Sequence, residues 1–358
     1  MRIERINRKL VLCLVCAVLL FIILLSNDNQ LRKMASFFDS DLDISCYEQP
    51  SSNNNAGLSS FDSLSDNEKP SVGKNIFFHE TSCFGEQGIE FNVRKACAVE
   101  SAARMNPQMK VFLLFLSPAT VSNNAKALFN ILSSYSNIRI NRIFPEVYVR
   151  DTPLEEWYIG GEALHKSLWP RSHMSDILRY LTLWKYGGIY LDLDVVVTSS
   201  LNKSQNFAGA EDWKAVAAGV IGLGMDKLGR HMADACIEDL MRNFRGNVWG
   251  NNGPGVITRT LKTLCNTTYV ARMTERRCKG FIVHSPSVFY PIHYKKWKAY
   301  FDEENRNLTM QKLQRSLAIH VWNKLSRMQL LDVDSNAPYA TIARAYCPKV
   351  FGSCKKTF

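Results

Sequence analysis

The chain reads as an α/β fold with a mostly parallel central sheet, preceded by an N-terminal transmembrane helix. Three observations predict it. One run near the N-terminus is wholly apolar; short apolar runs alternate with helical stretches further on; and a helix, a Gly-Gly turn and a strand follow one another at residues 175–200.

The apolar run is Leu10 to Leu25, with Arg2, Arg5, Arg8 and Lys9 ahead of it. As a helix it covers about 24 Å, a little short of a hydrocarbon core, and flanking basic groups can snorkel. It is longer than a usual signal-peptide core and no small-residue cleavage site follows. The basic residues place residues 1–9 in the cytosol, 10–25 in the membrane and the rest in the lumen: a single-pass type II membrane protein. Residues 26–73, rich in Ser, Asn and Asp, read as a flexible stem, and 74–358 as the lumenal domain.

Beyond the apolar run, eight of the ten cysteines remain, an even number that permits full pairing. Close spacing suggests Cys83 with Cys97, Cys265 with Cys278, and Cys347 with Cys354. No C-x-x-C spacing points to zinc. Asn202, Asn266 and Asn307 begin N-glycosylation sequons. The net charge of +11 raises nucleic acid as a partner, but the basic residues are scattered and no RNP motif or zinc-finger spacing occurs. A basic surface suits phosphate-bearing substrates or an anionic membrane.

In the lumenal part, Ile76–Phe78 and Val111–Leu116 read as buried strands, and Asn137–Ile143 as a weaker one. A helix spans Val93 to Met105. Ser175 then caps a helix with Ile177, Leu178, Leu181 and Trp184 on one face. Gly187-Gly188 ends it, and Ile189–Val197 reads as one β-branched strand. Asp192 and Asp194, two apart on that strand, would project from one face. Two carboxylates in an apolar strand repel unless something positive lies between them, and a hard divalent cation answers that need. Spelling alone is weak: Asp39/Asp41, Asp41/Asp43 and Asp332/Asp334 share it. Context separates Asp192/Asp194, which alone follow a Gly-Gly turn among strand formers. Asp176 and Arg179, three apart on the helix, share a face. They form either a surface ion pair or a grip on sugar hydroxyls.

The stretch Ser175–Asp194 resembles the core of the DXD-containing sugar transferases with a GT-A domain. The segments Ile76–Ser82, Cys97–Arg104, Asp151–Tyr158, Trp249–Pro254, Phe289–Ile292, Ala318–Lys324 and Tyr346–Pro348 resemble the animal α1,4-glycosyltransferases. The resemblance implies a GT-A-type single Rossmann-like domain, a UDP-sugar donor, Mn²⁺ and a retaining transfer to a glycolipid terminus. Within the same family, N-acetylglucosamine transfer to O-glycans is the alternative, and a non-catalytic lectin-like Golgi protein of the same fold is another. Residue by residue, it implies that Asp192 and Asp194 are catalytic and bind the metal, with His320 as a further ligand. Asp176, Arg179, Tyr190, Trp322, Asn323 and Phe77 would contact the donor, and Asn252 and Gly253 the acceptor. Glu211 and Asp212 either steer the acceptor or are solvated loop charges. Asn251-Asn252 stands where the family pattern has His-Gln, which leaves acceptor choice open.

Overall fold

The computed structural model describes residues 42–47, 57–202 and 205–358. Leu10–Leu25, the segment read as an anchor, lies outside them. No helix among the described residues is long and apolar enough to cross a membrane.

The main sheet has seven strands: β1 (Asn75–Glu80), β2 (Lys110–Phe115), β3 (Ile138–Arg142), β4 (Gly188–Leu191), β6 (Phe207–Ala210), β7 (Val216–Leu223) and β8 (Ile282–His284). They lie in the order β3-β2-β1-β4-β7-β6-β8. All pairings are parallel except the two made by β7. β5 (Val195–Val197) and β9 (Ala318–His320) form a separate antiparallel ribbon.

β1, β2, β4 and β7 are buried on both faces, which is why they read as continuous apolar runs, whereas the edge strands β3 and β8 are only partly buried. Ile76 and Phe78 of β1 face one core with Val111, Leu113 and Phe115 of β2. Phe77, Phe112 and Leu114 face the other. Phe77 is fully buried and stacked on Phe112, with ring centroids 5.4 Å apart. It is a core residue, and no donor can reach it.

Helix α1 (Val93–Met105) matches its sequence-predicted bounds. The Asn92 side chain caps it by accepting from the Lys95 N–H. Helix α2 (Asn123–Ser133) joins β2 to β3. Helix α3 (Pro170–Tyr186) begins six residues earlier than expected, with Pro170 in its first turn. Ser175 is therefore inside the helix, where its Oγ meets the Tyr190 hydroxyl at 3.1 Å. Gly187 and Gly188 both have positive φ, 62° and 95°. A Cβ on Gly188 would fall 2.5 Å from the Asn75 carbonyl oxygen, so β4 can close on β1 only with glycine there. Helices α4 (Lys227–Asn243) and α5 (Pro254–Leu264) pack beside α3 and β7.

Three expectations change. The run at Ile189–Val197 is not one strand: it breaks at Asp192–Asp194, where Val195 N–H donates to the Asp192 carbonyl across a turn. The cysteines join Cys46 to Cys83 and Cys97 to Cys347, besides the expected Cys265 to Cys278. Cys97 lies on the buried side of α1, against the chain entering the C-terminal helix Pro348–Gly352, so its partner is distant in sequence. Cys236 and Cys354 are unpaired. Finally, parts of the segment read as stem belong to the domain. Tyr47 is buried with its hydroxyl 2.6 Å from the Thr81 carbonyl, and Phe61 packs edge-on against Phe112.

Candidate active site

The ends of β4, β5 and β9 meet at one point. The chain turns sharply after Leu191, so the Asp192 and Asp194 side chains converge because of a turn rather than strand alternation. β9 pairs with β5 so that His320 stands opposite Val195. His320 Nε2 is thereby 3.6 Å from Asp192 Oδ2 and 3.2 Å from Asp194 Oδ1. One ligand atom from each of the three lies within 4.8 Å of the others.

Each carboxylate is separately held. Asp192 Oδ1 accepts from Tyr190 at 2.8 Å and from Arg179 at 3.1 Å. Arg179 also pairs with Asp176 at 3.0 Å, donates to the Ala218 carbonyl at 2.7 Å, and lies 4.6 Å over the Tyr190 ring. Asp176 and Arg179 are both about 6% exposed, so they form a buried pair beside the DXD turn and not a surface ion pair. Asp194 Oδ2 accepts from the Asn323 N–H at 2.8 Å.

The electrostatics follow from burial and the single arginine. Burial opposes charge on Asp192, but Arg179 and His320 hold its carboxyl well below the usual range. Burial pushes Asp176 up to about 7, against the pull of Arg179. Burial and the Asp192 charge raise Asp194, with His320 opposing. Burial lowers His320, but the two aspartates outweigh it and raise it overall. His320 Nε2 thus faces both carboxylates, 3.6 Å from one and 3.2 Å from the other.

Two carboxylates and an imidazole suit a hard or borderline divalent ion. Asn323, whose N–H donates to Asp194, also carries a buried side-chain oxygen with no hydrogen-bond partner among the described residues. Gly219 completes the cradle: a Cβ there would fall 2.7 Å from Asp192 Oδ2. The residues present therefore fit a metal.

Trp322 has left-handed backbone, φ 56°, an uncommon state for a bulky residue. Its indole N–H donates to the Ile292 carbonyl at 2.8 Å and its ring lies 4.1 Å from His320. The turn aims the Asn323 N–H at Asp194, so His320, Trp322 and Asn323 act as one unit.

The other expected residues divide. Gly253 belongs to the site: a Cβ there would fall 2.2 Å from Asp176 Oδ1, and its carbonyl accepts from Tyr180. Asn252 does not. It is fully buried and exchanges hydrogen bonds with the Arg245 backbone, which fixes the turn before α5. Asp212 accepts from the Lys214 and Ala215 N–H groups and shapes its own turn. Glu211 lies beside the site, 3.9 Å from His293. Sequence reasoning assigned no role to Tyr290 or His293. Tyr290 lies in the quoted Phe289–Ile292 segment, but only the fold brings its ring 5.6 Å from His320.

Comparison with known proteins settles the family. One family model, described as the alpha 1,4-glycosyltransferase conserved region, matches residues 225–354. Another, the glycosyltransferase sugar-binding region containing DXD motif, matches residues 92–211. Lactosylceramide 4-alpha-galactosyltransferase of Rattus norvegicus is 34% identical over 277 residues, 76% of this chain and 74% of the relative. The chain belongs to the α1,4-glycosyltransferase family. The human alpha-1,4-N-acetylglucosaminyltransferase is 30% identical to this glycosyltransferase over 285 residues, 78% of this chain and 80% of the relative. Among solved structures, the PaToxG glycosyltransferase covers 88% of this chain and 95% of its own at a TM-score of 0.38 and 16% identity, too distant to carry argument. The two family regions divide the α1,4-glycosyltransferase site between them. Asp176, Arg179, Asp192 and Asp194 lie in one, and Tyr290, His320, Trp322 and Asn323 in the other.

Proposed function

We propose that this α1,4-glycosyltransferase is a GT-A-type, metal-dependent, retaining enzyme. It transfers galactose or N-acetylgalactosamine from a UDP-sugar to a glycosphingolipid terminus in the Golgi. The observation that carries the reading is the meeting of Asp192, Asp194 and His320 beside the buried Asp176–Arg179 pair. Relatives named for lactosylceramide support the glycolipid acceptor.

In this reading Asp192, Asp194 and His320 would hold Mn²⁺ or a similar cation. When bound, it supplies a Lewis acid for the negative charge of the leaving diphosphate. Arg179 and Asp176 take hydroxyls of the transferred sugar. Arg179 stays charged, and the carboxyl of Asp176 accepts in the geometry that Gly253 leaves open. Tyr190 keeps Asp192 in one rotamer. The segment His320–Asn323 closes over the diphosphate side and excludes water. Asp192 is already committed to Arg179, Tyr190 and His320, and Asp176 to Arg179, so neither is a free nucleophile. The acceptor hydroxyl attacks on the face from which the diphosphate leaves, and its proton passes to the departing phosphate oxygen.

Three features support a lumenal setting: the apolar run Leu10–Leu25, the three disulfides, and the exposure of Asn202, Asn266 and Asn307. We assign those asparagines as glycosylation sites and residues 10–25 as the Golgi membrane anchor.

The test is a panel of UDP-galactose, UDP-N-acetylgalactosamine and UDP-N-acetylglucosamine with linkage analysis of the product. An α1,4-linked galactose or N-acetylgalactosamine on a lactose-terminated glycolipid is expected. Preference for UDP-N-acetylglucosamine and an O-glycan would shift the reading to the other named relative. Failure to bind any UDP-sugar would leave a lectin-like protein.

A further inference from the structure

Three groups beside the metal-ligand cluster have no part in the scheme above: Glu211, Tyr290 and His293. Glu211 follows β6, where its N–H donates to the Ala215 carbonyl at 3.0 Å. Its side chain is about a fifth exposed and lies 3.9 Å from His293 Nε2. His293 Nδ1 accepts from the Lys295 N–H at 3.3 Å, so the proton of the neutral ring sits on Nε2, facing Glu211. The His293 ring rests on Tyr294 at 4.3 Å, and Tyr294 meets Trp322 at 6.0 Å.

Tyr290 is 2% exposed and packs against both His320 and Trp322. Gly209 lets it approach β6: a Cβ there would fall 2.8 Å from the Tyr290 ring. Its hydroxyl is buried and makes no hydrogen bond among the described residues. Its ring packs 5.6 Å from that of His320, which puts the residue at the edge of the ligand cluster. A buried hydroxyl without a partner is destabilising, and a ligand oxygen would satisfy it.

The two flanks of the site are distinct. Arg179 meets Asp192 through Oδ1, and His320 meets it through Oδ2. Tyr290 packs on His320, which meets the Oδ2 side of Asp192, and Glu211 lies beside His293.

We propose that Tyr290 and Glu211 form the subsite for the acceptor sugar, with His293 as the positioning residue that holds Glu211. A carboxylate accepts from one sugar hydroxyl, and the phenol donates to its neighbour. Adjacent ring hydroxyls offer that combination, which diphosphate oxygens cannot, since they only accept. This inference rests on the glycosyl-transfer reading.

The test uses the full chain in detergent, the UDP-sugar selected by the panel, and an alkyl lactoside. Transfer, hydrolysis of the UDP-sugar without acceptor, and UDP binding with Mn²⁺ are measured together. Tyr290→Phe and Glu211→Gln should each raise the acceptor KM about tenfold or more, with hydrolysis and UDP binding within about twofold of wild type. His293→Ala should do the same, and His293→Gln, which keeps a polar N–H group on the Glu211 side, should restore most of the loss. Hydrolysis or UDP binding that falls in step with transfer would place these groups on the donor side and overturn the proposal. An unchanged acceptor KM would also overturn it. A wild-type chain that neither hydrolyses nor transfers any UDP-sugar would remove the parent reading instead, and this one with it.

Discussion

His320 stands opposite Val195 in the β5–β9 ribbon, and this register alone brings its Nε2 within 3.2 Å of Asp194. A slip of one residue would turn the imidazole to the other face of the ribbon. Residues more than a hundred apart in the chain thus become one ligand set. His320→Ala should weaken Mn²⁺ binding by about tenfold or more, ~1.4 kcal/mol, while the fold melts unchanged. Calorimetric titration of Mn²⁺ in the presence of UDP reads this directly. Equal affinity in the variant would remove His320 from the ligand set.

Gly253 gives a steric prediction. A methyl group there would sit 2.2 Å from Asp176 Oδ1, so Gly253→Ala must push the carboxylate off Arg179 or displace the start of α5. We expect kcat to fall about a hundredfold, with Mn²⁺ and UDP binding kept, because only the grip on the sugar is lost. Steady-state kinetics beside UDP titration checks it. A fall in UDP affinity of the same size would mean that the whole site had moved.

His79 gives a pH prediction for stability. Burial, aided by the Arg179 charge and opposed by Asp192, lowers its pKa to about 3. The unfolded chain takes up a proton near 6.5 that the folded chain refuses. Stability from this group is complete above about pH 6.5 and declines as pH falls towards 3. At pH 5 the loss is about 2 kcal/mol. Denaturant unfolding at pH 7.5 and pH 5 should show that difference shrinking in His79→Gln. An identical difference in both proteins would mean that His79 is not held neutral.

The disulfides should differ in worth. Cys97–Cys347 spans 250 residues and Cys265–Cys278 spans 13. The chain-entropy relation gives roughly 5 and 3 kcal/mol for loops of those lengths. Replacing both cysteines of the long bridge by alanine should therefore lower the melting temperature further than doing so for the short one. Thermal melts of the two double variants decide it, and the reverse order would contradict the assignment.

Much of this was legible beforehand, for identifiable reasons. β1, β2 and α1 were clear because strands buried on both faces are apolar throughout and because α1 carries an unbroken helical pattern from Val93 to Met105. The Gly187-Gly188 stop and the carboxylates after it were clear for the same kind of local reason. The turn at Asp192–Asp194 was not, because Ile189–Val197 consists of strand formers on both sides of it. The long-range partners were not legible either. Nothing local in Cys97 points to Cys347, and nothing in Tyr290 or His293 points to His320 or Glu211. Phe77 was misplaced because strand alternation gives two faces without saying which one meets the ligand.

The central claim is that Asp192, Asp194 and His320 hold the metal for α1,4-glycosyl transfer. The most direct measurement compares wild type with Asp194→Asn, using Mn²⁺, the UDP-sugar chosen by the panel and a lactoside acceptor, with the product linkage determined. The account predicts an α1,4-linked product from wild type that disappears when Mn²⁺ is chelated, and none from a variant that melts at the same temperature. Full-rate α1,4 transfer by Asp194→Asn, or transfer indifferent to chelation, would contradict it.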